Sequence, residues 1–112
     1  MTNDIDRKIA LEVMRYADYR DGRAAKPVPI GDNIEGIIDI DFDWIEWTPS
    51  TDISQAMMVV DRMIELGHGV HIHWHRQRKF WDVIFSIENR SWKYGNELLQ
   101  LAILEAALKA VE

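Results

Sequence analysis

The chain has 112 residues and no cysteine. Without cysteine it can form no disulfide, no thiolate metal site and no cysteine nucleophile, which favours a cytosolic location. No stretch approaches the roughly 20 consecutive apolar residues that a membrane span needs. The opening residues, MTNDIDRK, lack the apolar core of a signal peptide. We therefore expect a cytoplasmic protein that is neither secreted nor bound to a membrane.

Several motifs that would identify an enzyme are also missing. The sequence contains no GxSxG, GxxxxGK[ST], HExxH or GxGxxG pattern. Basic residues are absent from residues 31–52, which hold seven acids, and the net charge is -6. A nucleic-acid-binding protein normally carries a basic stripe, whereas here only Arg76, Arg78 and Lys79 form a small basic tip. Direct nucleic-acid binding is therefore disfavoured.

The composition is that of a folded domain, with 47% hydrophobic and 29% charged residues. We expect one domain over residues 1–112 with a single core. Apolar residues at helical spacing predict helices over about 4–16, 52–66 and 96–111. Asp52 is the predicted N-cap of the second helix, and Gln55, three residues later, completes a predicted capping box. Gly67 is predicted to end the helix. Residues 17–36, which contain several glycines and prolines, are predicted to form an irregular loop.

Two segments alternate as strands do. In IIDIDFDWIEW, residues 37–47, the aspartates Asp39, Asp41 and Asp43 share one face of a predicted strand, opposite an apolar face. Their Asp-x-Asp-x-Asp spacing also suggests calcium, but Trp44 and Ser50 stand where an EF-hand loop needs glycine and glutamate. A solvated strand face is therefore favoured over a calcium site.

The second alternating segment is HIHWH, where His71, His73 and His75 share one face of a strand. This strand and the next form a predicted hairpin over about 69–87. Residues two apart on a strand lie ~7 Å apart, so two of these histidines could bind one zinc ion, whereas three could not without distortion. A zinc site would need a carboxylate from elsewhere, with the acidic strand as the donor. A polar strand face without any metal is favoured over a zinc site, and no cofactor is expected.

The second half of the chain resembles a known family. The segments STDISQAMMVVDRM followed by Gly67, FWDVIF, and LAILEAALKAV are similar to the phage ABA sandwich domain of phage and prophage proteins, over residues 50–111. A weaker similarity lies in KIALEVM. The resemblance implies which residues occupy the structural framework positions of the fold, and it supplies no catalytic residues. These positions are Asp52, Ala56, Val60, Trp81, Val83, Phe85, Ala102, Ala106 and Leu108.

The expected fold is therefore α+β, a three-layer α/β/α sandwich with a small antiparallel sheet. The sheet would contain the hairpin over 69–87 and a third strand over 37–47.

The first functional hypothesis is a non-enzymatic phage or prophage accessory protein that binds a host or phage protein. Its contact residues would be Asp39, Asp41, Asp43, Trp44, Glu46 and Trp47. Alternate carboxylates lie ~7 Å apart, about two steps of the ~3.4 Å charge spacing of a DNA strand. The acidic row could therefore enter the nucleic-acid channel of a host defence nuclease and inhibit it, as an anti-CRISPR protein does.

Two alternatives belong to other functional classes. One is a small metal-dependent hydrolytic domain that uses His71, His73 and His75. The other is a homo-oligomeric structural module with Trp44, Trp47, Trp92 and Tyr94 at its interface, because aromatic residues are enriched in such contacts. If the histidine and aspartate strands are neighbours, the carboxylates should raise the histidine pKa values above ~6.5 and stabilise the fold at mildly acidic pH.

Overall fold

The computed structural model describes residues 4–34 and 37–112, and the side chains of these residues outside 29–40. Over that part of the chain it contains three helical regions and two three-stranded antiparallel sheets. The helices are α1 (Asp4–Lys8, continued by a π-helical turn at Ile9–Val13), α2 (Ile53–Glu65) and α3 (Leu99–Val111). The strands are β1 (Asp18–Arg20), β2 (Arg23–Ile34), β3 (Ile37–Glu46), β4 (Gly69–His75), β5 (Phe80–Ile87) and β6 (Arg90–Asn96). The predicted α+β sandwich is confirmed.

Helix α2 begins and ends where the sequence predicts. The Asp52 carboxylate accepts hydrogen bonds from the backbone N–H groups of Ser54 and Gln55, as an N-cap does. Gly67 follows the helix with φ +98°, the left-handed conformation that glycine adopts without strain. Gln55 does not complete a capping box. Its side chain instead accepts a hydrogen bond from the N–H of Thr48 and donates one to the carbonyl of Glu46.

Strands β4, β5 and β6 form one sheet in that order. Its apolar face carries Ile72, Val83 and Tyr94, which stand side by side in the register. Helix α3 packs on β5 and β6, and also on α2, as its broad apolar surface predicts. The third strand of this sheet is β6, which was not among the predicted strands. Because β6 ends at Asn96, α3 starts at Leu99, three residues later than predicted.

The first sheet, in the order β1, β2, β3, corrects two predictions. The predicted strand over 37–47 exists, but it pairs with β2 and not with the hairpin over 69–87. The irregular loop predicted for 17–36 is also wrong for most of its length, since β1 and β2 occupy Asp18–Arg20 and Arg23–Ile34. Asp21 and Gly22, at φ 50° and 77°, form the two-residue turn between them. Residues 35 and 36 of that prediction lie outside the described residues.

The core lies where the helices meet the second sheet and the base of the first. Its fully buried large side chains are Ile9, Val13, Trp47, Met63, Phe85, Ile103 and Leu104. The indole N–H of Trp47 donates to the Asp6 carbonyl over 3.2 Å, and the ring meets Tyr16 edge-on. Trp47 therefore anchors the end of β3 to α1. None of the described helices has both the length and the apolar character needed to cross a membrane.

Candidate interaction surface

The β2–β3 ladder extends beyond β1 as a two-stranded ribbon, which we call the arm (residues 26–34 and 37–44). Strand β1 pairs only with residues 23–25 of β2, whereas the β2–β3 register continues from Arg23↔Glu46 to Ile30↔Asp39 and beyond. The radius of gyration is 15.8 Å, against about 13 Å for a compact domain of this length. The arm therefore contributes to an elongated molecule, 58 Å in its longest dimension.

One face of the arm is apolar and exposed. Phe42 stands opposite Pro27 and Trp44 opposite Ala25, so these four side chains share a face. Phe42 is 49% exposed and Trp44 47% exposed. Arg20 lies with its guanidinium carbon 6.0 Å from the centre of the Trp44 ring. Large exposed aromatic side chains that adjoin one another are typical of protein contact surfaces.

The other face of the arm is acidic. Asp41 and Asp43 are both exposed and stand opposite Val28 and Lys26. Asp39 pairs through its backbone with Ile30, and its side chain lies outside the described set. The alternation predicted for residues 37–47 is thus retained over the described residues, with aromatic rings on one face and carboxylates on the other.

The remaining predicted contact residues lie at the base of the arm. Glu46 is exposed, and its carbonyl accepts a hydrogen bond from Gln55. Trp47 is 0% exposed, so it belongs to the core and cannot meet a partner on the surface. Alternation along the strand did not reveal this difference, because the ladder ends at Glu46, one residue before Trp47. Phe42, which the predicted contact set omitted, lies between Asp41 and Asp43 and is as exposed as Trp44.

The three histidines line the open face of the second sheet, as predicted. His71 pairs with Ile84, His73 with Asp82 and His75 with Phe80. The ring centres of His71 and His73 lie 6.2 Å apart, and those of His73 and His75 lie 4.6 Å apart. His71 and His73 are exposed, so no structural element within the described residues covers this part of the sheet.

Asp82 is the carboxylate that accompanies the histidines, and sequence analysis did not single it out. It is 5% exposed, its Oδ2 atom contacts His75 Nε2, and Lys93 Nζ lies 3.3 Å away. Burial acts to raise the pKa of Asp82, but hydrogen bonds from His75 and Lys93, with their charges, lower it overall. Asp82 is therefore held as a carboxylate between His75 and Lys93. Its place opposite His73 could be found only from the strand register.

These positions bear on the metal and pH hypotheses. Strand β3 and strand β4 lie in different sheets, so the strand adjacency on which the predicted pKa coupling depended is not present in the described sheets. The acidic strand, which was the expected donor of the remaining zinc ligand, is likewise not paired with the histidine strand. Among the residues whose side chains the structure describes, 4–28 and 41–112, no three His, Asp or Glu side chains are grouped so that they could hold a metal ion together.

Two of the four aromatic residues suggested for an oligomer interface face the helices. Trp92 stands opposite Phe85 on the apolar side of the second sheet and meets His68 edge-on. Tyr94 lies beneath Lys109 of α3, with Nζ 4.6 Å from the ring centre. With Trp47 in the core, Trp44 alone of these four is exposed.

Comparison with known proteins gives a family and a fold. The model of the phage ABA sandwich domain family matches residues 7–108. The crystal structure of a phage protein from Bacillus cereus ATCC 14579, determined at 2.0 Å, is similar with a TM-score of 0.69 and 20% sequence identity. The similarity covers 96% of this chain and 89% of that one. No curated protein matches the chain significantly.

Proposed function

The chain belongs to the phage ABA sandwich domain family, and from that premise we propose that it is a non-enzymatic accessory protein that binds a basic protein surface through its arm. One observation carries the proposal. Phe42 and Trp44 are each about half exposed on the apolar face of the arm, while Asp41 and Asp43 lie exposed on the other face, opposite Val28 and Lys26. Exposed aromatic rings contribute contact area, and the carboxylates select partners of positive charge.

The narrow shape and the acidic side chains of the arm favour one kind of partner. A two-stranded ribbon is narrow, so the arm can enter a cleft that a broad flat surface could not. The carboxylates of Asp41 and Asp43 lie two residues apart on one strand, or ~7 Å along it. A cleft lined by lysine and arginine that normally holds nucleic acid offers the complementary chemistry. We therefore extend the proposal to inhibition of a host defence nuclease by occupation of such a cleft.

The test is capture of host proteins on the immobilised, full-length protein, after nuclease treatment of the lysate to remove bridging nucleic acid. Two paired variants change the arm. D41N with D43N removes two charges, and F42S with W44S removes the aromatic rings. The matched control, E12Q with D61N, removes two charges from exposed helical positions. All variants are first compared with the wild type by circular dichroism.

We expect a partner that the wild type and the control variant both capture. Either arm variant should reduce the capture of this partner at least about tenfold, since truncating a few central residues removes most of the binding energy of an interface. Added double-stranded DNA should compete for the same partner if its nucleic-acid cleft is occupied. Capture that is equal for the wild type and both arm variants would exclude the arm as the contact surface.

A further inference from the structure

We infer that the arm binds its partner by strand addition, in which an extended segment with alternating basic and apolar residues pairs with the free edge of β3. This inference rests on the proposed function and specifies its geometry and the chemistry of the partner. Extended peptides commonly bind at an exposed sheet edge, where main-chain hydrogen bonds supply affinity and alternate side chains supply specificity.

The backbone of β3 reveals which of its groups point away from β2. The N–H of Trp47 donates to the carbonyl of Gly22, on the β2 side. Peptide groups alternate in direction along a strand, so odd-numbered residues of β3 face β2 and even-numbered residues face outward. The carbonyl of Glu46 agrees, since it receives its hydrogen bond from Gln55 of α2.

Phe42 shows directly that the outward edge has no strand beside it. Its N–H donates to its own neighbour, the Asp41 carboxylate, over 2.8 Å. A backbone N–H in a ladder would instead donate to the carbonyl of the next strand. In the described sheet, β3 is the terminal strand and β2 is its one neighbour. At Phe42 and Trp44 the backbone therefore faces an edge with no described strand beside it, and an added strand would take the Phe42 N–H from the Asp41 carboxylate.

The two edges of the arm are not equivalent. On β2, Pro27 stands opposite Phe42 and Pro29 opposite Ile40, so both prolines fall at outward-facing positions. Proline has no N–H and is one of the features that protect a sheet edge from pairing with another chain. Strand β3 has no proline between Ile37 and Glu46. One edge of the arm is thus blocked and the other is open.

The side chains beside the open edge define the partner. In a sheet, residues directly opposite one another share a face, with Cβ atoms about 5 Å apart. Residues of an added strand that stand opposite Asp41 and Asp43 should therefore be lysine or arginine. Those opposite Phe42 and Trp44 should be apolar. The recognised pattern is an alternation of basic and apolar residues.

The same geometry disfavours a second copy of the chain as the occupant. If two β3 edges paired, aspartates of one copy would stand opposite aspartates of the other. Like charges directly opposite one another destabilise a strand pair. The acidic row thus selects against self-pairing and for a basic segment.

The test uses a pair of synthetic peptides with blocked ends and a fluorescent label. KVKVKVK alternates lysine and valine, and KKVVVKK has the same composition and charge without the alternation. Fluorescence anisotropy with the full-length protein measures both affinities at low and at physiological salt. We expect KVKVKVK to bind at least about tenfold more tightly, because only this peptide can satisfy both faces in one register.

A pair of variants separates the backbone from the side chain. F42A keeps the outward N–H and removes the ring, whereas F42P removes the ring and the N–H together. Proline at an outward-facing edge position takes no hydrogen bond from the β2–β3 ladder, so the fold should be retained. F42P should bind KVKVKVK at least about fivefold more weakly than F42A, the effect of one lost hydrogen bond. In the wild type, saturating peptide should slow amide hydrogen exchange at Phe42 and Trp44 by about tenfold or more.

Three results would each overturn strand addition, namely equal binding of the two peptides, equal binding by F42A and F42P, and unchanged exchange at Phe42 and Trp44. The absence of binding to either peptide would do the same. The proposed function is judged separately, because it depends on capture of a host protein by the wild type and loss of that capture in D41N with D43N. Capture without strand pairing would retain the arm as a binding surface and reject its edge as the site.

Discussion

Replacement of Asp6 by alanine should destabilise the fold more than any other single change of a carboxylate. Asp6 lies on α1 and is 2% exposed. Its Oδ1 atom accepts a hydrogen bond from the backbone N–H of Ser50, and Oδ2 accepts one from the Ser50 hydroxyl, both over 2.8 Å. Its carbonyl accepts the Trp47 indole N–H. Asp6 therefore connects α1 to the segment that joins β3 to α2.

The magnitude follows from these two hydrogen bonds. A hydrogen bond to a charged acceptor contributes about 1.5–3 kcal/mol, and the cost of burying the carboxylate offsets part of the sum. We expect D6A to lower the free energy of unfolding by about 2–4 kcal/mol. D6N is the matched control. Its carbonyl accepts from the Ser50 N–H, and its amide can donate to the hydroxyl oxygen of Ser50, so its loss should stay within about 1 kcal/mol.

The pH dependence provides a second readout. Burial raises the pKa of Asp6 above its ordinary value of 3.8, although the side-chain and backbone hydrogen bonds of Ser50 act to lower it. A raised pKa in the folded state means that the folded protein binds the proton more tightly than the unfolded chain does. The stability that this contributes is fully present below pH 3.8 and is lost as pH rises through the raised value. D6N lacks this dependence.

The assay is urea unfolding followed by tryptophan fluorescence at several pH values from about 3 to 7, which span the ordinary carboxyl range and the raised value. The quantity of interest is the unfolding free energy of the wild type minus that of D6N, because the subtraction removes the titration of the other carboxylates. This difference should fall as pH rises. A difference that is constant or rises with pH, or a loss below about 1 kcal/mol in D6A, would refute the role assigned to this carboxylate.

Three further changes test other parts of the structure. G95A would place a Cβ atom 2.9 Å from Asp82 Oδ1 and 2.9 Å from Phe80 Cε2, so urea unfolding should show a loss of about 1–3 kcal/mol; an unchanged midpoint would contradict the close packing. D82N should reduce the decrease in the free energy of unfolding that the wild type shows as the pH is lowered. The lowered pKa of Asp82 stabilises the fold above pH 3.8, and this contribution is lost as pH falls. D52A should cost about 1 kcal/mol through loss of the N-cap, and D61N, an exposed change on the same helix, should cost less than about 0.5 kcal/mol.

Elements with a strong local signal were predictable from the sequence. Helix α2 has its cap, its apolar face and its terminal glycine within one short segment. Strands β4 and β5 alternate clearly and are joined by a short turn. The alternation in β3 also predicted which of its side chains share a face, because the period of two is a property of any extended chain.

The first sheet was predicted less well because its signals depend on the neighbouring strand. Pro27 and Pro29 favoured the prediction of a loop. In the structure both occupy outward-facing edge positions, where the missing N–H has no effect on the ladder. The Asp21-Gly22 turn was the local signal that could have revealed the hairpin. Strand β6 escaped prediction because most of its residues are polar, and Trp92 and Tyr94 alone are too few to make a recognisable alternation.

The candidate interaction surface was likewise predicted in part from the sequence and decided in part by the tertiary structure. The linear pattern alone established that residues 37–47 carry a row of acids opposite a row of apolar side chains, and that the histidines share a face. Only the tertiary structure decided that Trp47 is buried while Phe42 and Trp44 are exposed, that Asp82 and not the acidic strand accompanies the histidines, and that β3 ends its sheet. Side-chain alternation is local, whereas burial and strand pairing depend on residues far apart in the chain, and these determine which face of each strand is available for binding.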